Sequence, residues 1–282
     1  MYKIIFSQQL NPAICKMVIE EPNIANKARP GQFVVIRVDN TGERVPLTVV
    51  DTDKSKGSFT IILQLVGTTT FKLAQQKPGS LLVDVVGPLG LPTHIENFGK
   101  ALCIGGGVGV AEIYPGVKAL KEAGNEVSVV IGARTKELLI LEEELRAVSD
   151  RLYVTTDDGS YAKKGFVTDV LKELLQDPDK KPAIIFVVGP IPMMKAVCDM
   201  SKPYGIKTVV SLNANMVDAT GMCGTCRVTV AGKTKFSCVD GPEFDGHEVD
   251  FKELMLRNNR FLKQEKESLE LFKHKCKLGN HA

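Results

Sequence analysis

A chain of 282 residues exceeds one ordinary domain, and at 44% apolar and 24% charged it can bury more than one core. Its 36 basic and 33 acidic residues leave a net charge of +3, too small and too evenly spread to mark a nucleic-acid or anionic-membrane surface. The chain holds no apolar run of the roughly eighteen residues a spanning helix needs, and MYKIIFSQQLNP lacks the pattern of a secretory signal, so a cytoplasmic location is expected.

Short β-branched runs over 3–6, 14–19, 33–38, 45–51, 59–66 and 81–86 are separated by turn signals such as Arg29-Pro30-Gly31 and Lys77-Pro78-Gly79. They predict a small antiparallel barrel over residues 1–97, with one short helix at 70–75. From Ala101 the pattern becomes strand–helix alternation. Strands are expected at 101–104, 126–133, 152–156, 183–188 and 208–211, and helices at 111–123, 136–148, 166–175 and 192–201. The all-apolar run 184–188 is what a parallel sheet covered on both faces requires, so residues 98–213 read as a doubly wound α/β domain. Residues 214–250 are rich in Gly, Cys, Asp and Thr, with one hairpin signal around Gly232. A charged helical tail fills 251–282.

Seven cysteines are unusual in a reducing compartment unless some serve metal or redox chemistry. Cys15, Cys103, Cys198 and Cys276 are scattered and read as ordinary thiols. Asp218, Cys223, Cys226 and Cys238 form D-x4-C-x2-C-x11-C. This is the plant-type 2Fe–2S spacing with a carboxylate in the first position. Gly221 and Gly224 permit the tight loop from which such ligands converge. The competing reading is a structural zinc site, for which His247 is the one nearby histidine.

Three loops follow strands of the α/β domain. Gly105, Gly106, Gly107, Val108 and Gly109 open its first helix. Asp157 and Asp158 follow the third strand, and Gly189, Pro190, Met193 and Met194 follow the fourth. Loops beyond the carboxyl ends of parallel strands form nucleotide sites, and glycines let a backbone approach a pyrophosphate. In the barrel, Arg44, Pro46, Leu47 and Thr48, followed by Gly67, Thr68, Thr69 and Thr70, present a cation, hydroxyls and a helix start. These suit a flavin, although a barrel edge and a helix cap would look the same.

Barrel, nucleotide fold, the R-x-P-L-T and G-P-x-x-M-M strings and the trailing cysteine loop resemble the ferredoxin–NADP⁺ reductase superfamily. Within it the chain is similar to electron-transfer subunits of class B dihydroorotate dehydrogenase. It resembles still more the small subunits of NADH-dependent ferredoxin:NADP⁺ oxidoreductase. Ala28-Arg29-Pro30-Gly31-Gln32-Phe33 and the stretch from Cys238-Val239-Asp240-Gly241-Pro242 through Glu243-Phe244-Asp245-Gly246-His247 carry much of that likeness.

The resemblance implies FAD at Arg44, Pro46, Leu47, Thr48 and Gly67 to Thr70. It implies NAD(H) at the glycine loop, Asp157, Asp158, Gly189, Pro190, Met193 and Met194. It further implies a 2Fe–2S cluster on Asp218 and the three cysteines, since the oxidoreductase subunits use aspartate plus three cysteines where the dihydroorotate subunits use four cysteines. A larger partner with a second FAD and 4Fe–4S clusters would handle NADPH and ferredoxin in a heterodimer. NADP(H) at this chain stays open because Arg134 follows the second strand. No side chain is required as a catalytic acid, and His94, His247, His274 and His281 read as surface or structural. Glu112 departs from the less charged residue expected at that helix start, where an acid is also good capping chemistry. The tail, with Met255, Leu256, Phe261, Leu262, Leu269 and Leu271, is expected either on the larger subunit or on its own chain. Two other readings remain at this point: a dihydroorotate electron-transfer subunit, and a flavin-free, zinc-stabilised binding module.

Overall fold

The computed structural model describes residues 1–279. Alternating apolar positions fold the first part into two antiparallel sheets. The strands are β1 (Tyr2–Asn11), β2 (Ile14–Glu20), β3 (Phe33–Arg37), β4 (Arg44–Thr48), β5 (Asp51–Asp53), β6 (Ser58–Gln64), β7 (Leu81–Leu82) and β8 (Asp84–Leu89). They pair as β5-β6-β2-β1-β7 and β4-β3-β8. Ile4, Met17, Ile19, Ile36, Phe59 and Ile61 fill the space between them. Two helices accompany the strands, α1 (Pro22–Lys27) and α2 (Thr68–Ala74). The sequence pattern does not reveal α1, because its six residues are too few for helical periodicity. It is set by Pro22 in its first turn and by Glu21, whose carboxylate accepts the Asn23 N–H at 3.0 Å.

The α/β part runs β9 (Lys100–Gly106), α3 (Gly109–Glu122), β10 (Glu126–Ala133), α4 (Glu142–Val148), β11 (Arg151–Thr156), β12 (Lys163–Lys164), α5 (Val167–Gln176), β13 (Ile184–Val188), α6 (Ile191–Ser201) and β14 (Lys207–Ser211). The strand order β12-β11-β10-β9-β13-β14 is parallel throughout, so the chain moves outward on one side of β9 and then crosses to the other. Helices α3 and α4 cover one face, α5 and α6 the other. The helix expected over 136–148 is interrupted. A 3₁₀ turn at Lys136–Leu138 gives way to extended chain that buries Ile140, and Leu141 takes φ +56° before α4 begins. Three acids in the first turn of α4 suit a helix start there.

Beyond residue 213 come β15 (Arg227–Val230), β16 (Lys233–Phe236), α7 (Ser237–Asp240), β17 (Glu243–Asp245), α8 (Phe251–Asn258) and α9 (Leu262–Gly279). The cysteine-rich stretch is not an appendage. Its strand β17 adds antiparallel to β14 as the seventh strand of the α/β sheet, with Val210 opposite Phe244. The tail helix α9 meets the barrel, where Thr68 Oγ1 and Ser268 Oγ lie 3.0 Å apart and Lys273 sits 5.4 Å from the Phe71 ring centre. Packing on its own chain is therefore what the tail does, while Leu271 and Leu262 stay exposed. Among the described residues no helix is long and apolar enough to cross a membrane. The side chain of Cys276, and His281, lie outside the described residues.

The Gly31 turn shows how closely the parts approach. Gly31 has φ +81°, and a Cβ there would strike Thr93 Oγ1 and lie 3.1 Å from Glu243 Oε1. Gly31→Ala should cost about 2–4 kcal/mol, combining backbone strain with overpacking. Gly79 (φ +95°) has open space around its Cβ position, so Gly79→Ala should cost only the strain, about 1 kcal/mol. Denaturant unfolding of both variants checks the difference.

Candidate functional site

The glycine loop caps the carboxyl end of the central strand β9. Three of its glycines are required by close packing. A Cβ on Gly105 would lie 2.8 Å from the Val110 backbone, one on Gly106 would strike Met193 Sδ, and one on Gly109 would strike the Val188 carbonyl. Gly107 is different, with φ +59° and nothing within 4 Å of its Cβ position, so it faces open space at the turn. Gly189 abuts Gly106, and Met193 packs over both, which joins the loop after β13 to the loop after β9 at the switch point of the sheet. Val108 is half-buried and Pro190 exposed, while Met194 is fully buried in the core. Asp157 and Asp158 are exposed beyond β11. The Ser160 hydroxyl and N–H hold the Asp158 carboxyl below its ordinary range, and the Asp158 N–H donates to the Arg134 carbonyl.

On the barrel, Arg44 begins β4 and pairs with Asp84 at 3.2 Å. Pro46, Leu47 and Thr48 follow along the same strand, half-buried. Arg37, opposite Arg44 in register on β3, has a buried Nε without a partner and was not flagged by any sequence pattern. At α2, the space beside Gly67 is open. Thr68 meets the tail, Thr69 is half-buried, and the Thr70 hydroxyl is taken up by its own turn. It accepts from the Val66 and Gly67 N–H groups, both at 3.1 Å, and donates to the Gly67 carbonyl.

The four expected metal donors stand in two pairs, with Asp218, Cys223 and Cys226 on the loop before β15 and Cys238 in α7. Cys226 and Cys238 are buried with Sγ atoms 3.2 Å apart, and burial together with the Cys226 sulfur pushes the Cys238 thiol upward. Cys223 is exposed, and its thiol is lowered by the Thr225 hydroxyl and N–H and by the Asp218 N–H. Asp218 is lowered first by the Thr220 hydroxyl, with the Arg44 charge as a lesser cause. Thus the barrel arginine and the cysteine loop lie within electrostatic reach. Gly221 (φ +85°) and Gly224 (φ +68°) make the turns, and the Gly221 N–H is directed to the Cys238 sulfur. Among the described residues no three His, Cys, Asp or Glu side chains close on a single point as a metal centre. Three thiols, a carboxylate and inward N–H groups on the glycine-turned loop and the nearby α7 nonetheless match the donor chemistry of a 2Fe–2S cluster. His247 does not join them. Its Nε2 lies 3.0 Å from the Ser201 hydroxyl, which also contacts Thr208, so it is structural.

Between barrel and α/β domain lies a cavity of about 20 Å³, bordered by Thr48, Thr93, Cys103, Glu112, Ser211 and Glu243. That is room for a water molecule or so. Burial pushes the Glu112 carboxyl up to about 7. It does the same to Glu243, also to about 7, although Thr93 Oγ1 donates to Glu243 Oε1 at 2.7 Å. Glu112 is thus a half-buried acid in the first turn of α3, and Glu243 carried no sequence signal of its own.

Comparisons with known proteins find relatives of both the α/β domain and the cysteine-rich segment. The iron–sulfur cluster binding domain of dihydroorotate dehydrogenase B matches residues 213–250, and the oxidoreductase NAD-binding domain matches residues 103–199. A dihydroorotate dehydrogenase B (NAD⁺) electron transfer subunit homolog from Thermotoga maritima is 52% identical over 90% of this chain and 89% of its own. A probable subunit of that name from Methanocaldococcus jannaschii is 36% identical over 85% and 92%. A solved structure of an NADH-dependent reduced ferredoxin–NADP oxidoreductase, described for flavin-based electron bifurcation, superposes with a TM-score of 0.91. It is 48% identical and covers 96% of this chain and 98% of its own. Phthalate dioxygenase reductase shares the fold alone, at 15% identity and TM-score 0.57, covering 81% and 85%.

The two half-buried acids give a pH prediction. Their folded pKa values of about 7 exceed the ordinary 4.5, so the stability they contribute is full below about pH 4.5 and is lost as pH rises through about 7. Glu112→Gln and Glu243→Gln should each flatten the fall in melting temperature between about pH 5 and pH 8. Each should recover about 2 kcal/mol at the alkaline end.

Proposed function

The chain belongs to the family of ferredoxin–NADP⁺ reductase-like electron-transfer subunits that includes those of dihydroorotate dehydrogenase B. On that premise we propose that it is the NADH-reactive subunit of an electron-bifurcating, NADH-dependent ferredoxin:NADP⁺ oxidoreductase. It is an NAD(P)H-dependent oxidoreductase subunit using FAD, a 2Fe–2S cluster and NAD(H), and its relatives imply a larger partner subunit. When bound, the flavin supplies hydride acceptance and the cluster supplies one-electron relay.

The chain's own residues place and insulate those groups. In this reading Arg44 and Thr48 on β4, with the open turn at Gly67, hold the flavin. The Gly107 turn and the exposed Asp157–Asp158 loop receive the nucleotide, while Met193 closes Gly106 and Gly189 against each other. Asp218, Cys223, Cys226 and Cys238 hold the cluster, and their N–H donors favour its anionic charge. The match of 96% of the chain at 48% identity, together with an aspartate in the first ligand position, carries the choice of the bifurcating complex. In that complex the larger subunit would carry a second FAD and 4Fe–4S clusters and would react with NADPH and ferredoxin.

The second reading, an electron-transfer subunit of dihydroorotate dehydrogenase B, is favoured by the 52% identical relative and by the cluster-domain match. Purification with the native partner separates the two. The first reading expects NADPH- and NADH-linked ferredoxin chemistry and no reduction by dihydroorotate; dihydroorotate-dependent reduction of NAD⁺ would install the second. An Asp218→Cys variant should keep its iron but change its electron paramagnetic resonance (EPR) spectrum and potential. Identical spectrum and potential would remove Asp218 from the ligand set.

A further inference from the structure

Three arginines converge beside the cysteine loop, none of them in an ion pair among the described residues. Arg227 begins β15, Arg257 lies near the end of α8, and Arg260 sits in the turn between α8 and α9. Together with Thr225, Asn258 and Phe261 they border a cavity of about 20 Å³. Arg257 Nη2 donates to the Thr225 carbonyl at 3.2 Å, which fixes the guanidinium on the residue between Gly224 and Cys226. Among the described residues, the arginines in ion pairs are Arg44, Arg146 and Arg151, so none of these three is paired. Arg227 and Arg260 oppose the Arg257 charge, whereas Glu253 and the Cys226 sulfur favour it.

Arg257 is half-buried and Arg227 and Arg260 are exposed, and three like charges beside one loop favour an anion among them. The loop beside them supplies one if it carries the cluster. Two ferric ions, two sulfides, three thiolates and one carboxylate sum to a charge of roughly −2, and one added electron makes it roughly −3. Nearby cations stabilise the more negative, reduced form and so raise the potential.

We propose that Arg227, Arg257 and Arg260 are positioning residues for electron transfer, whose charges stabilise the reduced 2Fe–2S cluster and draw electrons from the flavin toward it. The step is a one-electron reduction of one ferric ion to ferrous, the electron coming from flavin reduced by NADH. This rests on the cluster reading above.

The test is an EPR-monitored redox titration of the complex with its native partner, alongside iron and sulfide analysis. The variants are Arg257→Gln, Arg257→Lys and the double substitution of the exposed pair, Arg227→Gln with Arg260→Gln. The expected result is retained iron and line shape, with the reduction equilibrium shifted against the reduced cluster by about tenfold per charge removed, which is about 59 mV for one electron. Arg257→Lys should recover most of that shift. If Arg257→Gln loses iron, the exposed double variant reads the same shift without touching the Thr225 bond. Iron-replete variants with the wild-type potential would overturn the proposal. So would variants whose potential is unchanged but whose larger subunit dissociates, since the arginines would then serve docking. Wild-type complex without iron would instead remove the cluster reading beneath it.

Discussion

The strip from Gly241 to Gly246 is the constraint on which the arrangement depends. Its strand β17 completes the α/β sheet against β14, and the Pro242 carbonyl accepts the Leu212 N–H at 2.9 Å. From the same strip, the Gly241 carbonyl accepts the Leu91 N–H at 2.6 Å and Glu243 accepts the Thr93 hydroxyl. Leu91 and Thr93 belong to the connection leaving the barrel. Six residues thereby tie the cysteine-rich segment to both the barrel exit and the nucleotide sheet. Glycine is needed where these backbones meet. A Cβ on Gly246 would strike Cys198 Sγ, and one on Gly90 would lie 3.0 Å from Pro242.

A relay between cofactors requires fixed spacing, and this strip supplies rigidity where three parts join. The cores reinforce it. Ile14, Val50 and Ile62 of the barrel are continuous with the cluster under α3, and Phe33 and Val35 are continuous with the core containing Cys226 and Cys238. Lys118 on α3 reaches Asp51 on β5 at 3.0 Å. Burial at this junction has a cost, since Glu112 and Glu243 are acids held where the charged form is disfavoured. The cysteine loop lies at the edge of the same junction, with Arg44 on one side and the three arginines on another. Arginine side chains thus lie on two sides of the loop that carries Asp218, Cys223 and Cys226.

Local chemistry made much of this legible. The apolar run 184–188 specified a buried parallel strand, the glycines after β9 a strand–helix turn, and the cysteine spacing a metal loop, because each depends on neighbours within a few residues. The break before Leu141 was not legible, since four leucines at helical spacing serve equally well when an extended stretch buries Ile140 between them. Nor was the division of labour within the glycine loop. Gly105, Gly106 and Gly109 answer to Val110, Met193 and Val188, the last two of which belong to the start of α6 and the end of β13, far along the chain; Gly107 alone answers to open space.

The sequence by itself determined the barrel, the doubly wound domain, the order of the loops and the spacing of the four proposed metal donors. Periodicity and ligand spacing are properties of short segments, and the alphabet of side chains states them directly. Only the tertiary structure decided that β17 belongs to the nucleotide sheet, that the tail lies on α2, and that Glu112 meets Glu243 at one cavity. The three arginines beside the cluster loop were decided in the same way, because Arg227 is separated from Arg257 and Arg260 by a hairpin, a short helix and a strand. Contacts of that kind arise when separate elements bury a shared surface, and no local pattern records which surfaces will meet.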